Sequence, residues 1–228
     1  MEGREAQMTP DPAIATAADY ADALMTARRS KNLLLLLVLL FLLVELAVFF
    51  VARYTNVILS DTPAVEVPAP TTQSTTASAK DFAQYATGLA VFLGMLFCVM
   101  LSMVVYLIAN IMLVGRLIGV ARVTSAFVWS LFLIVLMFPW QAFLGEATFN
   151  NPSFKPTGVL YTWAELVNGA RFKGELSAEA VLKWARFVAF PVIAIFILLM
   201  IQAKSNRGLK QALGEDVATG DDLAPPAT

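Results

Sequence analysis

Among the 17 acidic residues of this 228-residue sequence, Glu45 alone interrupts a long apolar run, LLLLLVLLFLLVELAVFFVA at residues 33–52. A carboxyl group in such a run can hold a proton, coordinate a cation or bind a polar neighbour. An ionised carboxylate near the middle of a membrane span costs about 2.5–3.5 kcal/mol on insertion scales, so it should be protonated, paired or facing water. The glutamate side chain is too short to reach an interface from that depth. Counting residues from the flanking basic clusters puts Glu45 near the level of Cys98 in the second apolar stretch, and of Pro139, Trp140 and Gln141 in the third. Trp140 and Gln141 both offer hydrogen-bond donors, and Pro139 leaves the carbonyl four residues earlier without its helical partner. No lysine or arginine is placed at that depth. The expected site is therefore a neutral Glu45, hydrogen-bonded by Trp140 and Gln141. It would act as glue between helices, as a proton or cation site, or as a contact for a partner subunit.

Little else in the sequence suggests chemistry. There is no histidine, which removes the commonest general base and the main zinc ligand. The single cysteine, Cys98, lies inside an apolar stretch and can build neither a disulfide framework nor a thiolate metal site. No metal-ligand cluster, intramembrane aspartate pair or glycine-rich nucleotide loop is present. The expectation is a protein without catalytic activity, metal or cofactor. A net charge of −1 supplies no basic field for nucleic acid.

A second pattern concerns packing. Ala86, Ala90, Gly94, Cys98 and Ser102 are small and recur every fourth residue. That spacing keeps them near one helix face, where another backbone can approach closely. The expected use is a seam inside the protein's own bundle, the alternative a dimer or hetero-subunit interface. Gly115 to Gly119, GRLIG, also has a small-xxx-small form, but Arg116 inside it argues against a lipid-buried dimer motif. Arg116 and Arg122 read as interfacial anchors that contact anionic lipid headgroups. Asn110 reads as a local hydrogen-bonding residue.

These residues need long apolar helices to position them. Hydrophobic residues make up 58% of the chain and charged ones 14%, which argues against an ordinary soluble domain. Twenty helical residues reach about 30 Å, the thickness of a bilayer's hydrocarbon core. The reading is an all-α, polytopic integral membrane protein: a four-helix transmembrane bundle with short amphipathic extramembrane helices. The spans are expected at about 33–52, 84–109, 125–144 and 184–202, making residues 33–202 one transmembrane domain. The first is read as an uncleaved signal-anchor, since its apolar stretch is long and no small-residue cleavage site follows. Residues 1–32 form a segment with a weakly amphipathic helix starting at Asp11–Pro12, its stripe carried by Ile14, Ala17, Ala18, Ala21, Leu24 and Met25. A tight hairpin or short interfacial helix is expected at about 111–124.

Two loops, 53–83 and 145–183, lie on the other side. Residues 55–80 are rich in Thr, Ser, Ala and Pro and read as flexible. In the second loop Val159, Leu160, Trp163, Leu166 and Val167 mark an amphipathic helix, with Thr157 as cap and Gly169 as terminator. Its aromatic residues Phe154, Tyr161, Trp163 and Phe172 read as resting at the membrane interface, with gripping a partner as the alternative. Asn151–Pro152–Ser153 is no glycosylation acceptor because proline fills its middle position. Ser177 is expected to cap the last helix, with Glu179 near its positive end and a kink at Pro191. Residues 203–228 read as a disordered acidic tail. Lysine and arginine close to the span ends place both termini in the cytoplasm, with a bacterial inner membrane as the default. The expected function is an accessory, scaffold or assembly subunit of a larger membrane complex, in contact with lipids and with a membrane-protein partner or its own copies. The alternative is a small oligomeric transporter or channel using Glu45.

Overall fold

The computed structural model describes residues 12–54, 75–141, 158–170 and 178–215, and among these every regular element is helical. The elements are α1 (Pro12–Tyr54), α2 (Thr75–Val114), α3 (Val120–Met137), α4 (Trp163–Ala170), α5 (Ala178–Trp184), a π-helical turn (Ala185–Ala189) and α6 (Phe190–Ala212). Four helical stretches are long and apolar enough to cross a membrane: most of α1, most of α2, α3, and the α5–α6 rod. α1 packs on α2, α2 on α3, α3 on α6, and α6 returns to α1, which closes the bundle.

Helix lengths differ from the sequence expectation. α1 is a single rod of 43 residues, about 65 Å, rather than a surface helix followed by a span. Nothing in residues 26–33 (TARRSKNL) breaks a helix, so the amphipathic front end runs straight into the apolar run. Its inward stripe, Leu24, Ala27, Lys31, Leu34, Val38, Leu42, Glu45, Phe49 and Ala52, is buried and steps by three or four residues throughout. Ile14, Ala17 and Ala18 lie where side chains are not described. α2 runs from Thr75 to Val114, so part of the expected 53–83 loop is helical. α3 stops at Met137 instead of 144, because Pro139 lacks the N–H that would continue the ladder. The tail is corrected too: α6 continues to Ala212, with Ser205, Gly208 and Leu209 buried, and only residues beyond 215 fall outside the described part.

The hairpin between α2 and α3 is tight. Arg116 (φ 52°) and Gly119 (φ 95°) both take left-handed backbone conformations. Gly119 meets Gly208 of α6 so closely that a Cβ on Gly119 would stand 2.7 Å from the Gly208 carbonyl oxygen. Glycine at both positions lets α6 cross the start of α3 backbone to backbone. Arg116 and Arg122 are exposed on this hairpin and the first turns of α3.

At the same end α6 is tied to its neighbours by polar groups. Lys31, fully buried, donates from Nζ to Ser205 Oγ (2.8 Å) and Asn206 Oδ1 (2.6 Å). Gln202 Nε2 donates to Asn32 Oδ1 (3.1 Å), and Lys204 Nζ to Ser125 Oγ (2.8 Å). Arg28 pairs with Glu215 at 2.9 Å across exposed surface. Lys31 is thus an interior residue, although it stands among the lysines and arginines close to a span end.

The expected kink at Pro191 takes a specific form. The Phe190 N–H bonds to the carbonyl of Ala185, five residues back, so a π-helical turn precedes the proline. A π turn shifts the hydrogen-bond register by one residue, and so absorbs the missing Pro191 donor.

Candidate functional site around Glu45

The small-residue seam sets the register of α1 against α2. A Cβ on Gly94 would lie 3.6 Å from Cβ of Phe41, 3.8 Å from Cδ2 of Leu160 and 3.8 Å from Cε of Met137. Ala90, Gly94, Cys98 and Ser102 are buried and Ala86 is half-buried. Ser102 also accepts a hydrogen bond from Ser130 Oγ (3.0 Å). The seam is filled by the chain's own α1, α3 and residue 160. Because Gly94 stands beside Phe41 and the two helices are antiparallel, Glu45 is level with Ala90, about two turns from the expected Cys98. Gly94→Leu is expected to force α1 and α2 apart and lower thermal stability by about 1–3 kcal/mol. Gly94→Ala, which makes only ordinary contacts, should change little. Equal melting of the leucine variant and the parent would contradict this packing.

Glu45 faces the bundle interior and is 1% exposed. Neither expected donor reaches it. The Trp140 indole Nε1–H donates to the Val135 carbonyl (2.9 Å), the one freed by Pro139. Gln141 Nε2 donates to the carbonyl of Leu160 (2.8 Å) and to Glu165 Oε2 (2.9 Å). Glu45, Trp140 and Gln141 therefore do not form one polar site. Both Glu45 carboxyl oxygens are buried, and the polar side chain beside them is Tyr161.

What approaches Glu45 instead is Tyr161. Its hydroxyl donates to the Glu45 backbone carbonyl, an oxygen whose second lone pair remains available within a helix. The same hydroxyl lies beside the Glu45 carboxyl, so carbonyl and carboxyl compete for its one proton. The Tyr161 ring is buried edge-on to Phe187 (5.2 Å), which stacks on Phe49 (4.9 Å), one turn beyond Glu45. Trp184 meets Phe49 edge-on at 6.0 Å. An aromatic plug thus closes the bundle above the carboxyl.

Tyr161 is delivered by a segment that sequence periodicity misreads as helical. Residues 158–162 are irregular, with bends at Val159 and Leu160, and the helix begins only at Trp163. Gly158 N–H donates to Gln141 Oε1 (3.0 Å), and Val159 N–H to the Leu136 carbonyl (2.9 Å). These bonds tie the segment to the end of α3, where helical acceptors stand open. α4 then starts with a cap that its sequence does signal: in Thr162-x-x-Glu165 the glutamate Oε2 accepts the Thr162 backbone N–H (3.0 Å). Glu165 Oε1 also lies 2.9 Å from Arg186 Nη2 in the π turn, an ion pair by distance rather than by aligned hydrogen bond. Gln141, Glu165 and Arg186 thus clamp three separate elements together. Gly169 lies within α4 rather than ending it, and its bare Cα receives the Phe187 ring. Thr157, Phe154, Phe172 and Ser177 lie outside the described residues.

Among the described residues no three His, Cys, Asp or Glu side chains converge to hold a metal ion. No protein-family model, curated protein or solved structure shows a significant match to the chain.

Proposed function

We propose that the chain is a non-catalytic, multi-pass membrane protein that serves as an accessory, scaffold or assembly subunit of a larger complex. We place it in a bacterial inner membrane with both termini cytoplasmic, on the strength of the span-proximal arginines and lysines. The observation that supports this reading best is the front end of α1. It extends the first apolar helix as an unbroken rod, held at its root by buried Leu24 and Ala27 and by the Arg28–Glu215 pair. Its outward face carries Asp19, Asp22, Met25, Thr26 and Arg29, a mixed polar surface suited to a protein partner. At its foot a cleft of ≈ 280 Å³, bordered by Tyr20, Leu24, Leu117 and Leu213, gives a partner side chain a place to insert. The seam no longer supports a partner interface, because the chain fills it itself.

Gentle extraction of the tagged chain at native expression, followed by mass spectrometry and native sizing, tests the proposal. The expected result is a stoichiometric partner of different sequence, lost in the Asp22→Lys/Arg29→Glu variant while the bundle's melting temperature is unchanged. A homo-oligomer alone would overturn it. The transporter or channel reading has one observation in its favour, the buried carboxyl of Glu45. Ion flux in liposomes that disappears in Glu45→Gln would decide for that reading instead.

A further inference from the structure

We propose that the third crossing of the membrane is discontinuous. α3 ends at the middle of the bilayer, and the clasp formed by residues 158–165 continues the crossing beside a recess that admits water and small hydrophilic solutes from the outer side. The proposal rests on the membrane location given above and holds whether the chain works as a subunit or as a carrier.

Depth is read from α1. Its apolar run, residues 33–52, is bounded by Arg29, Lys31 and Asn32 at one end and by Arg53 and Tyr54 at the other. The length of that run matches one hydrocarbon core, and Phe41 stands next to its midpoint. Phe41, Met137 and Leu160 share one level opposite Gly94, each 3.6–3.8 Å from a Cβ placed there. Met137 is the last residue of α3. The 18 residues of α3 would cross a whole core if they began at its inner edge. They begin before it, because the first turns carry Arg122 and Ser125, and Ser125 is bonded to Lys204. α3 therefore stops with the bilayer half crossed. Beyond the break Tyr161 reaches the Glu45 carbonyl, and Leu166 packs with Phe49 and Ala52, so the chain resumes along the outer half of α1.

The break brings polar groups to a depth where acyl chains cannot solvate them. Non-helical backbone within the core has to be buried in protein or to line water. Gly158 to Tyr161 meet the first condition, since all four are buried. Glu165 and Arg186 do not. Gln141 Nε2 donates to the Leu160 carbonyl (2.8 Å) and to Glu165 Oε2 (2.9 Å), which holds the carboxylate two hydrogen bonds from a midplane residue. Its ion-pair partner Arg186 adjoins Phe187, which stacks on Phe49 within the same apolar run. The pair is about one-fifth exposed, and neighbouring Ala164 is exposed as well. Charged side chains at such depth face a bundle interior or a water-filled cavity. Water reaches this pair from the outer side, because on the inner side α3 packs against α2 and α6 and closes the bundle.

Nitroxide labels on single cysteines, in a Cys98→Ser background and in lipid bilayers, test the crossing and the recess together. Oxygen, concentrated at the bilayer middle, and a neutral nickel chelate, confined to water, each relax the labels they reach. Leu40→Cys, Val135→Cys and Ala164→Cys all replace exposed residues, so the bundle stays intact. Leu40 is expected to meet oxygen and exclude nickel; a nickel-accessible Leu40 would defeat the membrane location itself. Val135 should match Leu40 in depth. A Val135 label at the outer headgroups would make α3 a full span and overturn the discontinuous crossing. Ala164 should meet the nickel chelate several-fold more than either, and a membrane-impermeant thiol reagent added outside should block its labelling. Oxygen without nickel at Ala164 would put it in lipid, and neither probe would put it under a covering protein. Either result overturns the recess, as would blocking from the inner side alone.

Discussion

Replacing Gly158 with alanine is expected to unseat the whole clasp. A Cβ at that position would stand 1.9 Å from the carbonyl oxygen of Phe138 and 2.8 Å from its carbon. Both are backbone atoms, so no side-chain rotation relieves the overlap. The segment must lift, losing the Gly158–Gln141 and Val159–Leu136 bonds and displacing Tyr161 from Glu45. Overpacking of this kind, added to polar groups left unpaired, should cost about 3 kcal/mol or more. Thermal unfolding in a mild detergent measures it, with Gly88→Ala as control. Gly88 has nothing within 4 Å of its virtual Cβ, so alanine there should be neutral or mildly stabilising. Equal melting temperatures for the two variants would refute the close approach.

The second large effect is expected where α6 crosses the start of α3. Gly119→Ala meets two obstacles, a left-handed backbone at φ 95° and the Gly208 carbonyl oxygen 2.7 Å away. Left-handed strain of about 1–2 kcal/mol and overpacking of about 1–3 kcal/mol point the same way, so a loss of about 2–5 kcal/mol is expected. Gly208→Ala differs in kind. Its Cβ would strike Val123 Cγ2 at 2.6 Å, a side-chain methyl that can be removed, and would stand less tightly, at 3.0 Å, from the Gly119 carbonyl oxygen. Val123→Ala should therefore recover much of the stability lost in Gly208→Ala, and almost none of that lost in Gly119→Ala. A double-mutant cycle checks this, and equal rescue of both would show that the crossing is not held as described.

Much of the architecture was legible because it rests on helical periodicity and length. The four apolar stretches, the hairpin near 115–119 and the four-residue seam all follow from spacing along a single helix. The freed Val135 carbonyl was likewise implied by Pro139, and Trp140 beside it is the donor that serves it. The Glu45 site was only half legible. Its burial follows from the apolar run, but its neighbours are set by how far α3 extends and where the chain turns back. Ending α3 at Met137 sends Gln141 to the 158–165 segment instead of to Glu45. Tyr161 reads as interfacial because 159–167 fits a helical stripe, and nothing in periodicity distinguishes a buried irregular segment from the first turn of a helix. A local signal did exist. Thr162-x-x-Glu165 is a capping box and would have started α4 at Trp163. Lys31 is legible in the sequence only as a lysine near a span end, and its partners on α6 are what show it to be interior.

The partners of Lys31 have a consequence for how the chain is made. Ser205 and Asn206 are translated long after Lys31, and Arg186 long after Gln141 and Glu165. When the first three apolar helices have been synthesised, Lys31 still lacks its acceptors and Glu165 has yet to be made. A ribosome-bound or truncated chain lacking α6 therefore carries an unsatisfied ammonium on the face that α1 turns inward, a defect that membrane quality control can recognise. Arrival of the last helix removes the charge defect at one end and locks the clasp at the other. Arrival of α6 and closure of the bundle thus become the same event.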